Sequence, residues 1–377
     1  MIWPLVLLGV ALLTLLLFAY PYAIYPMILR GLRTRPLKAS MTTTTGAEYA
    51  ILFCAYNEVS TAPAKMENLA GLKSRYPDIK ILIYDDGSTD GCAEVYGERP
   101  DLAELIPGPG RSGKAAGMKR LVAIADRPIL VFTDANVMLD PGALDALQNA
   151  FSDPQVGGVC GHLEYGFNRG TATEHVGHAY WGLDEALKAE ESRTGNVMGG
   201  DGSIFAVRRY LYPDFPDTVQ DDFTVSMSVV YAGLRLIYDP AVIAYEQLVS
   251  SSRDEYSRKV RIAARAFHTY SSMRTSVRAM SALDRWKFFS HKQMRWHGAL
   301  FLLIAGLAAI AAAALFSWWF AILLTAVASI ALFVLPRIWG PAASIREMLL
   351  AVAATFQGVV VARRGRTFAT WTPPTSR

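Results

Sequence analysis

The sequence EYAILFCAYNE at residues 48–58 decides the fold, together with IKILIYDD at residues 79–86 and RPILVFTDA at residues 127–135. Each is a nearly continuous apolar run of strand length that ends in polar residues, as buried strands of a parallel sheet do. The segments between them, residues 62–75 and 112–125, have the apolar spacing of helices. This order of strand, helix and strand predicts an α/β domain with a mostly parallel sheet and right-handed crossovers.

Polar side chains follow each of the three predicted strands. They are Asn57, Glu58, Asp85, Asp86, Asp134 and Asn136. Ligands of parallel sheets bind at the carboxyl ends of the strands, so we expect these side chains to converge on one crevice. Asp134 and Asn136 stand two residues apart, so both can offer an oxygen to one hard cation such as Mg²⁺ or Mn²⁺. Strand-end turns and helix caps are the competing explanations for these acids.

A glycine-flanked basic loop, GPGRSGKA at residues 108–115, precedes the second predicted helix. It nearly matches the phosphate loop G-x-x-x-x-G-K-[ST], which keeps a P-loop nucleotide triphosphatase open as an alternative function. The match fails at Ala115, which replaces the hydroxyl group that holds magnesium. Arg111 and Lys114 nevertheless suit a diphosphate, which needs positive charge and backbone N–H groups.

Other acidic residues lie on two predicted helices. Asp221 and Asp222 precede a helix over residues 224–231, where acids ordinarily act as caps. The sequence also predicts a helix whose acidic residues form a solvated face. These are Asp184, Glu185, Glu190 and Glu191.

The 377 residues are 52% hydrophobic but 19% charged, and the charges are unevenly distributed. Residues 1–29 and 298–336 contain none, whereas the remainder has the charge content of an ordinary globular domain. This excludes a disordered chain, a collagen-like chain and a disulfide scaffold.

Residues 1–29 are long enough for one transmembrane helix, and residues 298–336 predict a helical hairpin that turns near Trp318. Charges interrupt residues 342–362, which suit a transmembrane or an interfacial helix equally.

Basic residues next to the apolar segments predict the orientation. Arg30, Arg33, Arg35 and Lys38 follow the first segment, and such residues usually stay in the cytoplasm. We therefore predict a multi-pass protein of the cell (inner) membrane with a cytoplasmic domain at residues 46–252, which contains the candidate site. Residues 253–297 carry 11 Lys or Arg against three acids and predict basic amphipathic or interfacial helices. They could contact anionic headgroups, face an anionic substrate or form an ordinary basic flank.

Eight short motifs then occur in an order that resembles the inverting family 2 glycosyltransferases, in particular membrane-anchored members of the polysaccharide- or glycolipid-synthase type. The motifs are AYNE at 55–58, DDGSTD at 85–90, RSGKAAGM at 111–118, TDAN at 133–136, YWGLDEALKAEES at 180–192, GGDGSIFAVRR at 199–209, QDDF at 220–223 and SHKQMRW at 290–296. The resemblance covers essentially the whole chain. It implies a Rossmann-like GT-A domain with transmembrane helices at both termini.

The resemblance also implies a role for each candidate residue. The donor nucleotide would contact Asn57, Glu58, Asp85, Asp86, Arg111, Lys114, Arg258 and Arg261, with Asp86 on the uracil ring and Lys114 on the diphosphate. Asp134 and Asn136 would hold Mg²⁺ or Mn²⁺. Asp222, beside Asp221, would be the general base, while Asp201 and Trp181 would lie on the acceptor side.

The implied reaction is the inverting, metal-dependent transfer of a hexose-type sugar from a nucleotide-diphosphate sugar. A UDP-sugar is the expected donor, and a lipid-linked or glycan acceptor at the membrane is the expected partner. No nucleic acid partner is expected, and a homo-oligomer is compatible with this function. Besides the P-loop triphosphatase, a non-catalytic membrane scaffold that kept the glycosyltransferase fold is an alternative.

Two departures from the family pattern affect these expectations. Asn136 stands where the family's D-x-D metal motif commonly ends in Asp, so one ligand charge is missing. The stretch from Arg258 to Ile262 replaces the Q-x-x-R-W of processive synthases and lacks its Gln and Trp. This favours the addition of one or a few sugars. Arg258 and Arg261 share a helical face and can still contact a diphosphate.

Overall fold

The computed structural model describes residues 2–38, 48–166, 172–247 and 252–368. It begins with a continuous apolar rod made of helix α1 (Ile2–Ala19), a π-helical turn (Tyr20–Ile24) and helix α2 (Tyr25–Gly31). The π-helical turn contains Pro21, whose missing N–H group cannot continue the α-helical ladder. The rod ends two residues beyond the predicted segment.

A mixed eight-stranded sheet forms the centre of the following domain. Its strands are β1 (Tyr49–Ala55), β2 (Lys80–Asp85), β3 (Glu104–Pro107), β4 (Ile129–Thr133), β5 (Met138–Leu139), β6 (Val156–Gly166), β7 (Ile204–Arg208) and β8 (Arg235–Gln247). They lie in the order β3-β2-β1-β4-β7-β6-β8-β5. The first four are parallel, as predicted, and β6 is parallel to β8. Strand β7 runs antiparallel to both β4 and β6, and β5 runs antiparallel to β8.

The three predicted apolar runs become β1, β2 and β4, which are neighbours in the sheet. Every residue of β1 and of β4 is buried, because helices cover both faces of this part of the sheet. The helices of the domain are α3 (Ala62–Arg75), α4 (Cys92–Gly97), α5 (Lys114–Ile124), α6 (Ala143–Phe151), α7 (Ala172–Arg193) and α8 (Asp221–Tyr231). Two hydrophobic cores result, one on each face.

The C-terminal part of the chain is entirely helical as far as it is described. Its elements are α9 (Ser252–Ser272), α10 (Arg274–Ala279), α11 (Ala282–Phe288), a π-helical turn (Phe289–Gln293), α12 (Met294–Trp296), α13 (Gly298–Phe316), α14 (Trp318–Ser329), a π-helical turn (Ile330–Val334), a 3₁₀ turn (Leu335–Arg337) and α15 (Gly340–Arg363). Ser317, in an extended conformation, separates α13 from α14 at the predicted hairpin turn.

Four helical segments in the described residues are long and apolar enough to cross a membrane. They are Ile2–Gly31, Gly298–Phe316, Trp318–Arg337 and Gly340–Arg363. The last of these differs from the others, because its C-terminal half packs on α9. A Cβ atom added at Gly358 would lie 2.5 Å from the carbonyl oxygen of Val260, and Val359 is fully buried in the core of the domain.

Candidate active site

The loops after β1 and β2 are hydrogen-bonded to each other. Asn57 adopts a left-handed backbone with φ of 50°, which Asn tolerates better than most residues. Its side-chain oxygen accepts a hydrogen bond from the Thr89 N–H at 2.8 Å, and its own N–H donates to the Ser88 hydroxyl at 3.1 Å. The Ser88 N–H in turn donates to Asp85 at 3.2 Å. Glu58, at the same strand end, is 9% exposed.

Asp86 is fully buried and joins the end of β2 to the basic loop. Its carboxylate accepts hydrogen bonds from the N–H groups of Ser112 at 2.7 Å and Gly113 at 3.0 Å, and from the Arg111 guanidinium at 2.9 Å. The guanidinium also lies over the ring of Tyr56, 3.3 Å from its centroid. Asp86 therefore orders the loop that carries the candidate phosphate contacts. Its contact with a nucleobase stays a prediction.

Lys114 is the first residue of α5, and its side chain reaches the end of β4. Its Nζ donates to the Asp134 carboxylate at 2.6 Å. Burial disfavours the charged amine, but the carboxylates of Asp134, Asp221 and Asp222 outweigh it and raise the pKa of Lys114 above its ordinary value. The amine is therefore positively charged at neutral pH.

Three of the predicted site residues surround Gly202, which the sequence did not single out. A Cβ atom added there would lie 2.8 Å from Lys114 Nζ, 3.1 Å from Asp222 Oδ2 and 3.7 Å from Asp134 Oδ2. These side chains come from the start of α5, the start of α8 and the end of β4, so the fold brings together groups far apart in sequence. The sequence offered one signal for this position, the glycine inside the GGDGS segment. Because Gly202 has no side chain, the three charged groups can lie close to its backbone.

Asp221 and Asp222 open α8 and are 5% and 8% exposed. Asp222 Oδ1 accepts a hydrogen bond from the Phe223 N–H at 2.6 Å, whereas Asp222 Oδ2 faces Gly202. Burial and the neighbouring charge of Asp221 raise the pKa of Asp222 to about 7, against the opposing charges of Lys114 and Arg265. A carboxyl group with this pKa can exchange a proton near neutral pH.

The basic helix α9 contacts this acidic pair through a residue that was not predicted. Arg265 lies 3.8 Å from Asp221 and donates to the Val219 carbonyl at 3.0 Å. It shares a helical face with Arg258 and Arg261, which was the available signal. Arg258 itself is ion-paired at 2.8 Å with Glu255 on the same helix. The diphosphate contact of Arg258 and Arg261 stays a prediction.

The candidate metal ligands, Asp134 and Asn136, follow β4 and would bind a cation through oxygen atoms. The Asn136 amide donates to Glu246 on β8 at 2.8 Å, which leaves the Asn136 side-chain oxygen as a donor atom for a cation. In the described ranges no three His, Cys, Asp or Glu residues are grouped closely enough to hold a metal ion by themselves. One carboxylate, one amide oxygen and the oxygens of a bound diphosphate form a donor set that fits Mg²⁺ or Mn²⁺.

The prediction that the acidic residues of α7 form a solvated face is wrong for most of them. Asp184, Glu185 and Glu191 are at most 9% exposed. Lys188, between them on the helix, donates at 2.7 Å to Asp201, one of the two predicted acceptor-side residues. The acids are buried because α7 lies between the sheet and the C-terminal helices, where Arg295 reaches Asp184 at 2.6 Å. The Trp181 side chain lies outside the described part of the chain.

Comparison with known proteins identifies the domain. Residues 50–215 match the model of a family described as "Glycosyl transferase family 2". Residues 50–215 therefore form a family 2 glycosyltransferase domain. The predicted family is confirmed, and the alternative of a P-loop triphosphatase is not supported. The loop that resembled a phosphate loop follows β3, at the edge of the sheet.

Two curated relatives cover part of the chain. An N-acetylglucosaminyltransferase of Azorhizobium caulinodans is 26% identical over 231 residues, which are 56% of this chain and 57% of the relative. A poly-β-1,6-N-acetyl-D-glucosamine synthase of Staphylococcus epidermidis is 22% identical over 220 residues, 56% of this chain and 53% of the synthase. The chain thus spans a little over half the length of these relatives.

A solved structure extends the likeness to nearly the whole chain. The mannosyltransferase PcManGT of Pyrobaculum calidifontis, determined in complex with GDP-Man and Mn²⁺, superposes with a TM-score of 0.73. The match covers 96% of this chain and 99% of that protein at 21% identity. The predicted fold class, a GT-A domain with apolar helices at both termini, is confirmed.

Proposed function

We propose that this protein transfers a sugar from a nucleotide-diphosphate sugar to a membrane-associated glycan or lipid-linked acceptor, with inversion at the anomeric carbon. The supporting observation is the convergence of Lys114, Asp134 and Asp222 around Gly202 within a family 2 domain. A cation, an oxygen donor for a metal and a buried carboxylate share one space there. These are the groups that a single displacement at a sugar phosphate requires.

The departing nucleotide diphosphate gains negative charge during the reaction, and the donor side of the site stabilises that charge. Lys114 lies within reach of it and stays protonated at neutral pH. Arg111 adds a second cation on the loop that Asp86 holds in place. Mg²⁺ or Mn²⁺ held by Asp134 and Asn136 would supply further positive charge to the diphosphate oxygens.

Asp222 is the proposed general base. Its Oδ2 accepts the proton of the acceptor hydroxyl as that oxygen forms a bond to the anomeric carbon, while the bond from that carbon to the diphosphate oxygen breaks on the opposite face. The raised pKa of about 7 suits this role, because the carboxylate is basic enough to take a proton yet ionised in half of the molecules at neutral pH. Asp221 contributes by raising this pKa.

UDP-N-acetylglucosamine is the first donor to test. The names of both curated relatives refer to N-acetylglucosamine. The family resemblance, in turn, implies a UDP-sugar as the donor. The absence of Gln and Trp from the segment 258–262 supports the addition of one or a few sugars rather than a long polymer.

The membrane arrangement follows from charge and packing. We place the domain in the cytoplasm, with Ile2–Gly31 and the α13–α14 hairpin as spanning segments. Helix α15 is proposed to lie at the membrane–water interface, because Gly358 packs against the backbone of α9. In addition, the Arg363 guanidinium donates a hydrogen bond to His297 at 3.2 Å, beside the start of α13. This arrangement keeps the arginines after α15 on the cytoplasmic side.

The function is tested with purified full-length protein in detergent, Mn²⁺ and a panel that includes UDP-N-acetylglucosamine, UDP-glucose and GDP-mannose. Release of nucleotide diphosphate, the mass of the glycosylated acceptor and the anomeric configuration of the product are measured. We expect one donor to be consumed with inversion, and a chelator to stop the reaction. No turnover of any donor by protein that binds nucleotide would instead support the non-catalytic scaffold.

A further inference from the structure

A cavity of about 690 Å³ lies where the N-terminal apolar rod meets the domain, away from the candidate active site. Four cationic residues line it, namely Arg33, Arg35, Lys38 and Arg235, and none of the described lining residues is acidic. The first three follow α2, whereas Arg235 opens β8. A concave site with this lining has a positive potential that attracts an anion.

Among the described residues, the cations around the cavity form no direct ion pair with a carboxylate. Within the described ranges, the side chains of Arg33, Arg35 and Lys38 form no ion pair with a carboxylate. Arg235 is 7% exposed, and its guanidinium donates to carbonyl oxygens, among them that of Arg35 at 2.9 Å. Its Nε atom has no hydrogen-bond partner among the residues that the structure describes. A buried guanidinium without a direct ion pair is stabilised by a ligand that supplies negative charge.

The nearby acids have other hydrogen-bond partners, although the charge of Asp153 still acts on Arg235 from a distance. The Asp153 carboxylate accepts the backbone N–H groups of Lys38 and Gln155, each at 2.9 Å. Glu190 pairs with Arg193 at 2.8 Å. Asp284 accepts hydrogen bonds from Ser281 and Asn196 at the start of α11.

A fifth cation, Lys287 of α11, lies behind the wall of the cavity. A Cβ atom added at Gly195 would lie 3.6 Å from Arg35 Nη1 and 3.7 Å from Lys287 Nζ. Burial lowers the pKa of Lys287 to about 8, and the charges of Arg35 and Arg235 contribute against the pull of Glu191 and Asp284. The positive charges therefore act on one another in this small region.

The backbone of the segment after α2 is hydrogen-bonded to the domain, although the side chains of its basic residues are exposed. The Arg35 N–H donates to the Arg193 carbonyl at 2.8 Å. The Arg193 guanidinium donates to the carbonyls of Leu29 at 2.7 Å and Leu32 at 3.1 Å. The end of α2 with its following segment and the end of α7, which are distant in sequence, are thus held together at the cavity.

We propose that this cavity binds the phosphate group of an anionic lipid headgroup. It opens directly after the end of α2 at Gly31, on the apolar rod whose side chains are widely exposed. Leu32 and Leu283 give it apolar walls beside the cations, which suit the glycerol and upper acyl region of a lipid. A soluble phosphate has the same charge but no part that would contact those walls.

The proposal is tested with full-length protein in neutral detergent, supplied with equal amounts of phosphatidylglycerol and phosphatidylcholine. Native mass spectrometry counts the lipid retained. The double variant Arg33→Gln/Arg35→Gln is compared with Arg364→Gln/Arg366→Gln, which removes the same charge from exposed positions after α15. Lys38→Gln, on an exposed side chain, is a second variant, and melting temperatures verify that all variants fold.

We expect the wild type and the Arg364→Gln/Arg366→Gln control to retain phosphatidylglycerol in preference to phosphatidylcholine. The Arg33→Gln/Arg35→Gln variant should retain at least about tenfold less, since each basic residue near an anionic lipid strengthens binding severalfold. Equal retention by this variant and the wild type would overturn the proposal. Displacement of the lipid by millimolar inorganic phosphate would overturn it too, because the cavity would then be a soluble phosphate site.

Discussion

At the scale of single residues, the chemistry depends on how burial sets the charge of Asp222. Its carboxylate is 8% exposed beside Asp221, and this combination raises its pKa to about 7. The sequence indicated a carboxylate at a helix start but could not predict this shift. The shift arises from burial and from the charge of Asp221, against the opposing charges of Lys114 and Arg265, and only the fold defines the distances between these groups.

The raised pKa predicts an acid limb in the pH dependence of the reaction. A general base must be deprotonated, so the ionised fraction of Asp222 rises with pH through about 7 and is close to complete above pH 8. We expect kcat/KM to fall about tenfold per pH unit below pH 6.5. Initial rates between pH 5.5 and 9 measure this. A rate that is flat over this range would exclude Asp222 as the titrating base.

Gly202 predicts a steric effect on the same site. A methyl group there would lie 2.8 Å from Lys114 Nζ and 3.1 Å from Asp222 Oδ2, so the Gly202→Ala variant must displace both groups. We expect about tenfold or more loss of kcat/KM with an unchanged melting temperature, since small misplacements of reacting groups are costly. Gly71→Ala in α3, where no described residue places an atom within 4 Å of the added methyl group, is the control. Full activity of Gly202→Ala would refute the proposed crowding.

At the scale of elements, patterns of single strands and helices could be predicted, but their partners could not. The apolar runs correctly marked β1, β2 and β4, and helical spacing marked α3 at its observed bounds. The antiparallel insertion of β7 has no local signal, because its apolar residues suit either direction. The acids of α7 were misjudged for the same reason, since their burial depends on Arg295 and other residues about a hundred positions away.

The contact between α9 and α15 predicts a stability effect. At Gly358 an added side chain would meet the backbone of α9, 2.5 Å from the Val260 carbonyl oxygen. We expect Gly358→Leu to destabilise the protein by about 1–3 kcal/mol through overpacking. Thermal unfolding followed by fluorescence measures this. Gly306→Leu on α13, where the described part of the chain places no atom within 4 Å of an added Cβ, is the control. Equal melting temperatures for both variants would contradict the packing.

At the scale of the whole molecule, the uneven charge distribution correctly predicted a domain flanked by apolar helices. It could not decide the course of residues 342–362, because their length and composition suit two arrangements. Packing favours one of these two arrangements. Burial of Val359 in the core of the domain ties the end of α15 to α9, and this supports an interfacial position.

The proposed topology predicts which positions a membrane-impermeant maleimide reaches in intact cells. Ser317→Cys, at the hairpin turn, should be labelled from outside. Thr367→Cys, after α15, should be labelled only after the cells are opened. The native residues Cys54, Cys92 and Cys160 are buried and give little background. Labelling of Thr367→Cys in intact cells would show that α15 crosses the membrane and would contradict the interfacial placement.

The central claim, that a family 2 site transfers sugar with Asp222 as its base, is tested most directly by Asp222→Asn. The amide keeps the shape of the side chain but cannot take a proton, so we expect transfer to fall by at least about 100-fold. Nucleotide-sugar affinity, measured by calorimetry, should stay within about threefold of wild type, and the exposed Asp214→Asn control should retain activity. Transfer by Asp222→Asn at the wild-type rate would contradict the account.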